Sequence, residues 1–168
     1  MAMPCREFIA VRGFSARIDL ALLDSLQDDG WFAIPAAIRE DPLAVAVHLA
    51  LVVLCNGQVL TDEAGHLVQH GPVLPEDLAN RPLLKGLKHH AETRTGTRLG
   101  VPGRAELIGY LHEPKLLPRC MMLVYRCIVP PGTAPAGGVW RHPTEAAALT
   151  TDPLDKLLLA AVPGAPRG

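Results

Sequence analysis

The stretch "LLKGLKHHAETRTGTRLGV", Leu83 to Val101, decides how the rest of the chain is read. Its apolar residues Leu83, Leu84, Leu87 and Ala91 recur at the three- and four-residue spacing of one helical face. Asn80 can cap such a helix, Pro82 is tolerated in a first turn, and Gly96 supplies a stop, so the spacing predicts a helix ending near Gly96. Around the apolar face the segment is basic. Arg81, Lys85, Lys88, His89, His90, Arg94 and Arg98 stand against one internal acid, Glu92.

Upstream, "LAVAVHLALVVLC", Leu43 to Cys55, reads as one long or two short buried strands. Asn56-Gly57 then signals a hairpin, because apolar residues alternate on both sides of it. Proline and acidic residues from Gly71 to Asn80 mark a loop. Downstream, "RAELIGYLHEP" and "RCMMLVYRCIVPPG" read as two strands, "GTAPAGG" as a connector, and "VWRHPTEAAALTTDPLDKLLLAAV" as a strand-like start followed by one or two helices. Thr144 and either Thr151 or Asp152 are the candidate caps.

At the amino end, "EFIAVRG" has strand character and "DLALLDSLQDDG" the spacing of a short helix stopped at Gly30. Residues 1–42 are treated as an amino-terminal extension packed on a main domain of residues 43–168. Sheet, helix, sheet and helix in that order argue for an α/β chain with helices covering a mixed sheet.

Composition narrows the function classes. A chain of 168 residues, 49% of them hydrophobic, is long enough for one well-buried core. Its formal net charge of -1 creates no field that would gather nucleic acid or an anionic membrane, and the basic residues lack interleaved aromatics. The longest apolar run is shorter than the roughly 18 to 20 residues a bilayer span requires, and "MAMPCREFIAVRG" lacks the pattern of a secretory signal. Both point to the cytoplasm. Cys5, Cys55, Cys120 and Cys127 form no C-x-x-C pair, so zinc is not suggested and thiols are expected; alanine, proline and arginine abundance resembles a GC-rich bacterial coding bias.

The order of these elements resembles the Nudix fold, over roughly Leu43 to Val162. The residues that carry the resemblance are the apolar strand before a hairpin, the helix ending "AETRTG", then "AELIGYL", "MMLVYRCIV" and "VWRHPTEAAAL". The resemblance implies an α/β/α sandwich. The family signature is a glycine, then after five residues a glutamate, then after seven residues Arg-Glu, an apolar residue, any residue, Glu-Glu, any residue, glycine and an apolar residue. Aligned on Gly96, its first glycine falls on Pro75, its first glutamate on Arg81 and its Arg-Glu on His89 and His90. Its Glu-Glu falls on Thr93 and Arg94, and its last apolar position on Thr97; only Ala91 and Gly96 agree. A loop shift would bring Glu76 or Asp77 into the first acidic position without restoring the paired glutamates.

In the family those carboxylates hold magnesium or manganese against a diphosphate, and hard cations require oxygen ligands. A guanidinium cannot serve, so no metal and no cofactor are expected at this helix. A surface of this kind instead meets phosphate or carboxylate directly, which makes Arg81, Lys85, Lys88 and Arg94 the candidate ligand-binding residues. The expected partner is an anionic or phosphorylated small molecule or a protein, with a homodimer left open. One alternative is metal-independent acid-base chemistry at His90, His112 and Glu113, with Glu113 or Glu76 orienting His90. A second is a Nudix hydrolase with a displaced acidic site. His89 and His90 point about 100 degrees apart on a helix and do not converge on one ion. His66 and His70 are expected at the surface, and His48 inside the core.

Overall fold

A computed structural model describes residues 1–4, 12–17, 20–67 and 70–162. Cys5 and nearly all of the "EFIAVRG" segment lie outside the described residues. The elements run β1 (Ala2–Pro4), β2 (Gly13–Ser15), α1 (Leu20–Asp28), α2 (Pro35–Glu40), β3 (Ala44–Cys55), β4 (Gln58–Thr61), β5 (His70–Pro72), a 3-10 turn (Pro75–Leu78), α3 (Leu83–Leu99), β6 (Arg104–His112), β7 (Cys120–Ile128), β8 (Val139–Arg141), α4 (Pro143–Leu149) and α5 (Pro153–Ala160).

The centre of the sheet is the parallel pair β3 and β7, in register from Ala46 opposite Cys120 to Leu54 opposite Ile128. Strands covered on both faces carry near-continuous apolar sequence, as "AVAVHLALVVLC" and "CMMLVYRCI" do. Outward from β7 come β6 and β2, both antiparallel. Along its other edge β3 pairs in turn with β1, β5 and β4, and β4 carries β8. The apolar run from Leu43 is thus one long strand, and Asn56 and Gly57, at φ 51° and 77°, turn it into the hairpin.

Alternation along the strands divides the core into two layers. Val45, Val47, Leu49, Leu51 and Val53 of β3 face α1 and α3, meeting Leu22, Leu26, Leu83, Leu87 and Ala91. Ala50, Val52 and Leu54 face α4 and α5, meeting Ala146, Leu154, Leu158 and Leu159. This is the expected α/β/α sandwich with a mixed sheet. Within the amino-terminal segment, β1 joins β3 as a strand and α1 packs in the layer of α3. Leu87, with no exposed surface, sits at the centre of that layer, and Leu87→Ala would cost about 2 to 5 kcal/mol.

Three terminal details differ from the sequence reading. Helix α3 runs through Gly96 and stops at Gly100, whose φ of 69° is the left-handed conformation that glycine adopts freely and whose N–H bonds the Gly96 carbonyl at 2.8 Å. Asn80 does not cap α3. It takes φ 57° beside Ala79 at 47°, so the pair turns the chain from the 3-10 segment into the helix, and Pro82 occupies the cap position without a side-chain bond. On α4 the cap is His142, whose ring accepts the Thr144 N–H, while Asp152 caps α5 as expected.

Candidate functional site

Helix α3 displays its polar residues on two flanks. On the first, Lys88 projects over the start of β6, and Leu84, Lys88, Arg104, Ala105, Glu106, Leu107 and Tyr125 line a cleft of about 360 Å³. Glu92 anchors this flank by accepting the Ala105 N–H at 3.1 Å, and it approaches Lys88 at 4.0 Å. The acid of the cleft, Glu106, is paired with Arg126 across the strands at 2.7 Å. That hydrogen bond, with the positive charge behind it, holds the Glu106 carboxyl below its usual range. Lys88 and Arg104 therefore line the cleft with one acid, Glu106, that is already paired, and Tyr125, 2% exposed, supplies an aromatic wall.

On the second flank His90 is half-buried against the 3-10 turn, where its Nδ1 meets Asp77 Oδ1 at 3.1 Å. The other Asp77 oxygen accepts the Leu74 N–H at 2.8 Å, which fixes the carboxylate to its own turn. Arg94 Nη1 lies 3.5 Å from His90 Nε2. Because a guanidinium only donates, Nε2 must carry the lone pair and Nδ1 the proton. Desolvation, helped by Arg94 and His89 and opposed by Asp77, holds the His90 pKa below its ordinary value, in keeping with a neutral ring. Gly86 permits this arrangement: a Cβ there would stand 2.8 Å from Leu78 Cα and 2.9 Å from Leu78 O, so only glycine lets the turn lie so close to the helix.

The structure does not gather the other candidates around His90. His112 is buried, with Nδ1 3.1 Å from the Cys120 carbonyl. Glu113 receives the Lys115 N–H at 3.3 Å and borders a separate cleft with Arg12, Lys115 and Lys156, beside α5 in the opposite layer. Glu76 is exposed, and the carboxylate that orients His90 is its neighbour Asp77. The signal for Asp77 was its place in the acidic turn "PEDL"; what sequence could not supply was which of the two acids points inward. Arg81, Lys85 and Arg94 are exposed, and Arg98 is engaged with the Gly137 carbonyl at 2.9 Å. The basic segment is therefore not one continuous surface.

The described cysteines are thiols, as expected. Cys55, Cys120 and Cys127 are buried free thiols, and burial pushes the Cys120 thiol up to about 12, which leaves it unreactive. His48 is half-buried on the α4 and α5 side of β3, and burial lowers its pKa.

No family model matches the sequence, and no curated protein is significantly similar to it. The fold does match a solved one: the crystal structure of Tm1382, described as "a putative Nudix hydrolase", superposes with a TM-score of 0.69 over 95% of this chain and 94% of that one, at 16% identity. The fold is Nudix-like. None of the helices over the described residues is long and apolar enough to cross a membrane.

Proposed function

We propose that this Nudix-like protein binds an anionic small molecule, phosphorylated or carboxylated, in the cleft between α3 and β6, and does so without the metal-dependent diphosphate hydrolysis associated with the fold. The observation that carries the reading is the charge of the cleft: Lys88 and Arg104 line it, its one lining acid, Glu106, is already paired with Arg126, and Glu92 beside it stands 4.0 Å from Lys88 and is engaged with the Ala105 N–H. Tyr125, Leu84 and Leu107 offer an apolar wall for the body that bears the anion, as a nucleotide or an acyl thioester would. The helix itself argues against magnesium. Aligning the signature on Gly100, where α3 ends, places Thr93 and Arg94, then Thr97 and Arg98, at the paired positions, so this register also lacks glutamates there.

The test is thermal unfolding with nucleoside diphosphates, sugar nucleotides, ADP-ribose and acyl thioesters, each with and without magnesium. A compound at a hundred times its Kd should raise Tm by about 5 to 11 °C in a domain of this size. The shift should be independent of magnesium. Lys88→Glu or Arg104→Glu should weaken binding of a dianion ~10- to 100-fold, the Coulomb change for one reversed charge a few ångströms away after partial screening. A shift that appears only with magnesium would overturn the reading in favour of a hydrolase with a displaced acidic site.

A second reading rests on the Asp77–His90 contact at 3.1 Å. A neutral imidazole oriented by a carboxylate, with Nε2 free of a proton, is equipped for general-base chemistry without metal. On this reading His90→Ala abolishes turnover of a compound found in the panel and leaves its binding nearly unchanged. Turnover that survives the substitution would refute it.

A further inference from the structure

On the face of the sheet opposite α3, the β4–β5 connection meets the amino end of α5. There His70, Asp152 and Asp155 place one potential ligand atom each within 4.8 Å of one another. They span the range from exposed His70 through half-buried Asp152 to buried Asp155.

Acidic residues at a helix start are common for local reasons, and Asp152 has one: its Oδ1 accepts the Leu154 N–H at 2.8 Å. Asp155 does not. In a capping box the acid three residues after the cap reaches back to the cap residue's N–H. Here Thr150 Oγ1 takes that N–H at 3.2 Å instead. Asp155, 1% exposed, turns its Oδ2 to His66 Nδ1 at 3.0 Å and to the Thr150 hydroxyl at 3.3 Å. Its Oδ1 is fully buried and has no hydrogen-bond partner among the described residues. A buried carboxylate oxygen without a donor is costly unless something positive completes it.

We propose that His70, Asp152 and Asp155 form a binding site for a divalent transition-metal cation of the Mn²⁺ or Zn²⁺ type, with Asp155 Oδ1 as its buried ligand. One imidazole and two carboxylates form the mixed nitrogen and oxygen set that such ions accept. Ligand atoms held at about 2.0 to 2.2 Å stand about 3.4 Å apart in a tetrahedron and about 4.4 Å apart when trans in an octahedron, so closure draws the three ligands together by up to about an ångström, which exposed His70 can supply. His66 and Thr150 are positioning residues, holding Asp155 through its other oxygen as outer-shell partners hold metal ligands. Two carboxylates outweigh the half positive charge at the start of α5. Water would complete the coordination on the His70 side.

The site is independent of the α3 cleft and tests separately. The full chain, stripped with a chelator and dialysed, is titrated with ZnCl₂ and with MnCl₂ by calorimetry and thermal unfolding. One saturable equivalent should bind, with Tm rising by about 5 to 11 °C at a hundred times Kd. His70→Ala, at an exposed position, and Asp152→Ser, which retains a capping oxygen, should each abolish that binding. His66→Gln should weaken it by about 10- to 100-fold, and His89→Ala, an exchange on α3, should leave it unchanged. Absence of saturable binding by either ion, or binding that persists in both His70→Ala and Asp152→Ser, would overturn the proposal.

Discussion

Replacing Gly86 by alanine sets two effects of known size against each other. In a helix interior this change ordinarily stabilises by about 0.8 to 1.0 kcal/mol, because alanine has less backbone freedom to lose. At Gly86 the new Cβ would meet Leu78 Cα at 2.8 Å, Leu78 O at 2.9 Å and Leu78 Cδ2 at 3.0 Å. The first two atoms are backbone and cannot rotate away, so α3 and the 3-10 turn must separate by about half an ångström or more, at the ~1 to 3 kcal/mol typical of overpacking. The balance is a net loss of about 0 to 2 kcal/mol, seen as a Tm lower by up to ~8 °C. The same separation would lengthen the 3.1 Å contact between Asp77 and His90, since Asp77 rides on that turn. Thermal unfolding together with an NMR titration of the His90 ring reads both consequences. A Tm higher by about 2 to 4 °C with an unaltered His90 titration would refute the reasoning, because it would mean that the turn does not rest on Gly86.

The two histidine contacts carry opposite pH signatures. His66 has its pKa raised by the hydrogen bond to Asp155, so its contribution is present below the unfolded value near 6.5 and disappears as pH rises through the folded value. His66→Gln should therefore destabilise more at about pH 5 than at about pH 9 in metal-free denaturant melts, and an equal loss at both would refute the assignment. His90 has its pKa lowered, chiefly by desolvation, so below about 6.5 the unfolded chain takes up the proton first and stability falls with pH. His90→Gln should flatten that acid limb, and an unchanged limb would mean that His90 titrates normally. Removing the charge of the cleft's lining acid by Glu106→Gln should tighten binding of a dianion several-fold; weaker binding would place the ligand elsewhere.

The layers of the fold were legible because they depend on local pattern. The β3 and β7 segments are apolar on both faces, which only central strands of a covered sheet require, and the three- and four-residue spacing from Leu83 to Ala91 marks the inner face of α3. Helix ends were harder. Gly96 and Gly100 both look like stops, and the choice fell to Gly100 because the left-handed residue lies there, one helical turn further on. The mistaken cap at Asn80 has the same origin: asparagine suits both a cap and a left-handed turn, and the chain's reversal between the 3-10 segment and α3 needed the turn.

Site residues divide along the same line between local and tertiary information. That His90 and Arg94 share a flank follows from a separation of four residues, and the structure keeps them 3.5 Å apart. That Asp77, and neither Glu76 nor Glu113, orients His90 depends on where Gly86 lets the turn lie. The cluster on the other face was beyond any spacing rule, since His66 and Asp155 meet across 89 residues and no motif links them. Read singly, His70 is a surface histidine, Asp152 a cap and Asp155 an acid in a helix's first turn. Only their convergence, with one carboxylate oxygen buried and unpartnered among the described residues, separates the proposed site from three ordinary residues. The two faces of the sheet thus present opposite chemistry: cations beside α3, and carboxylates with imidazole beside α5. If both sites bind as proposed, removing metal from the α5 face should leave anion affinity at α3 intact, because the ligands of one and the cleft of the other lie in separate layers of the core.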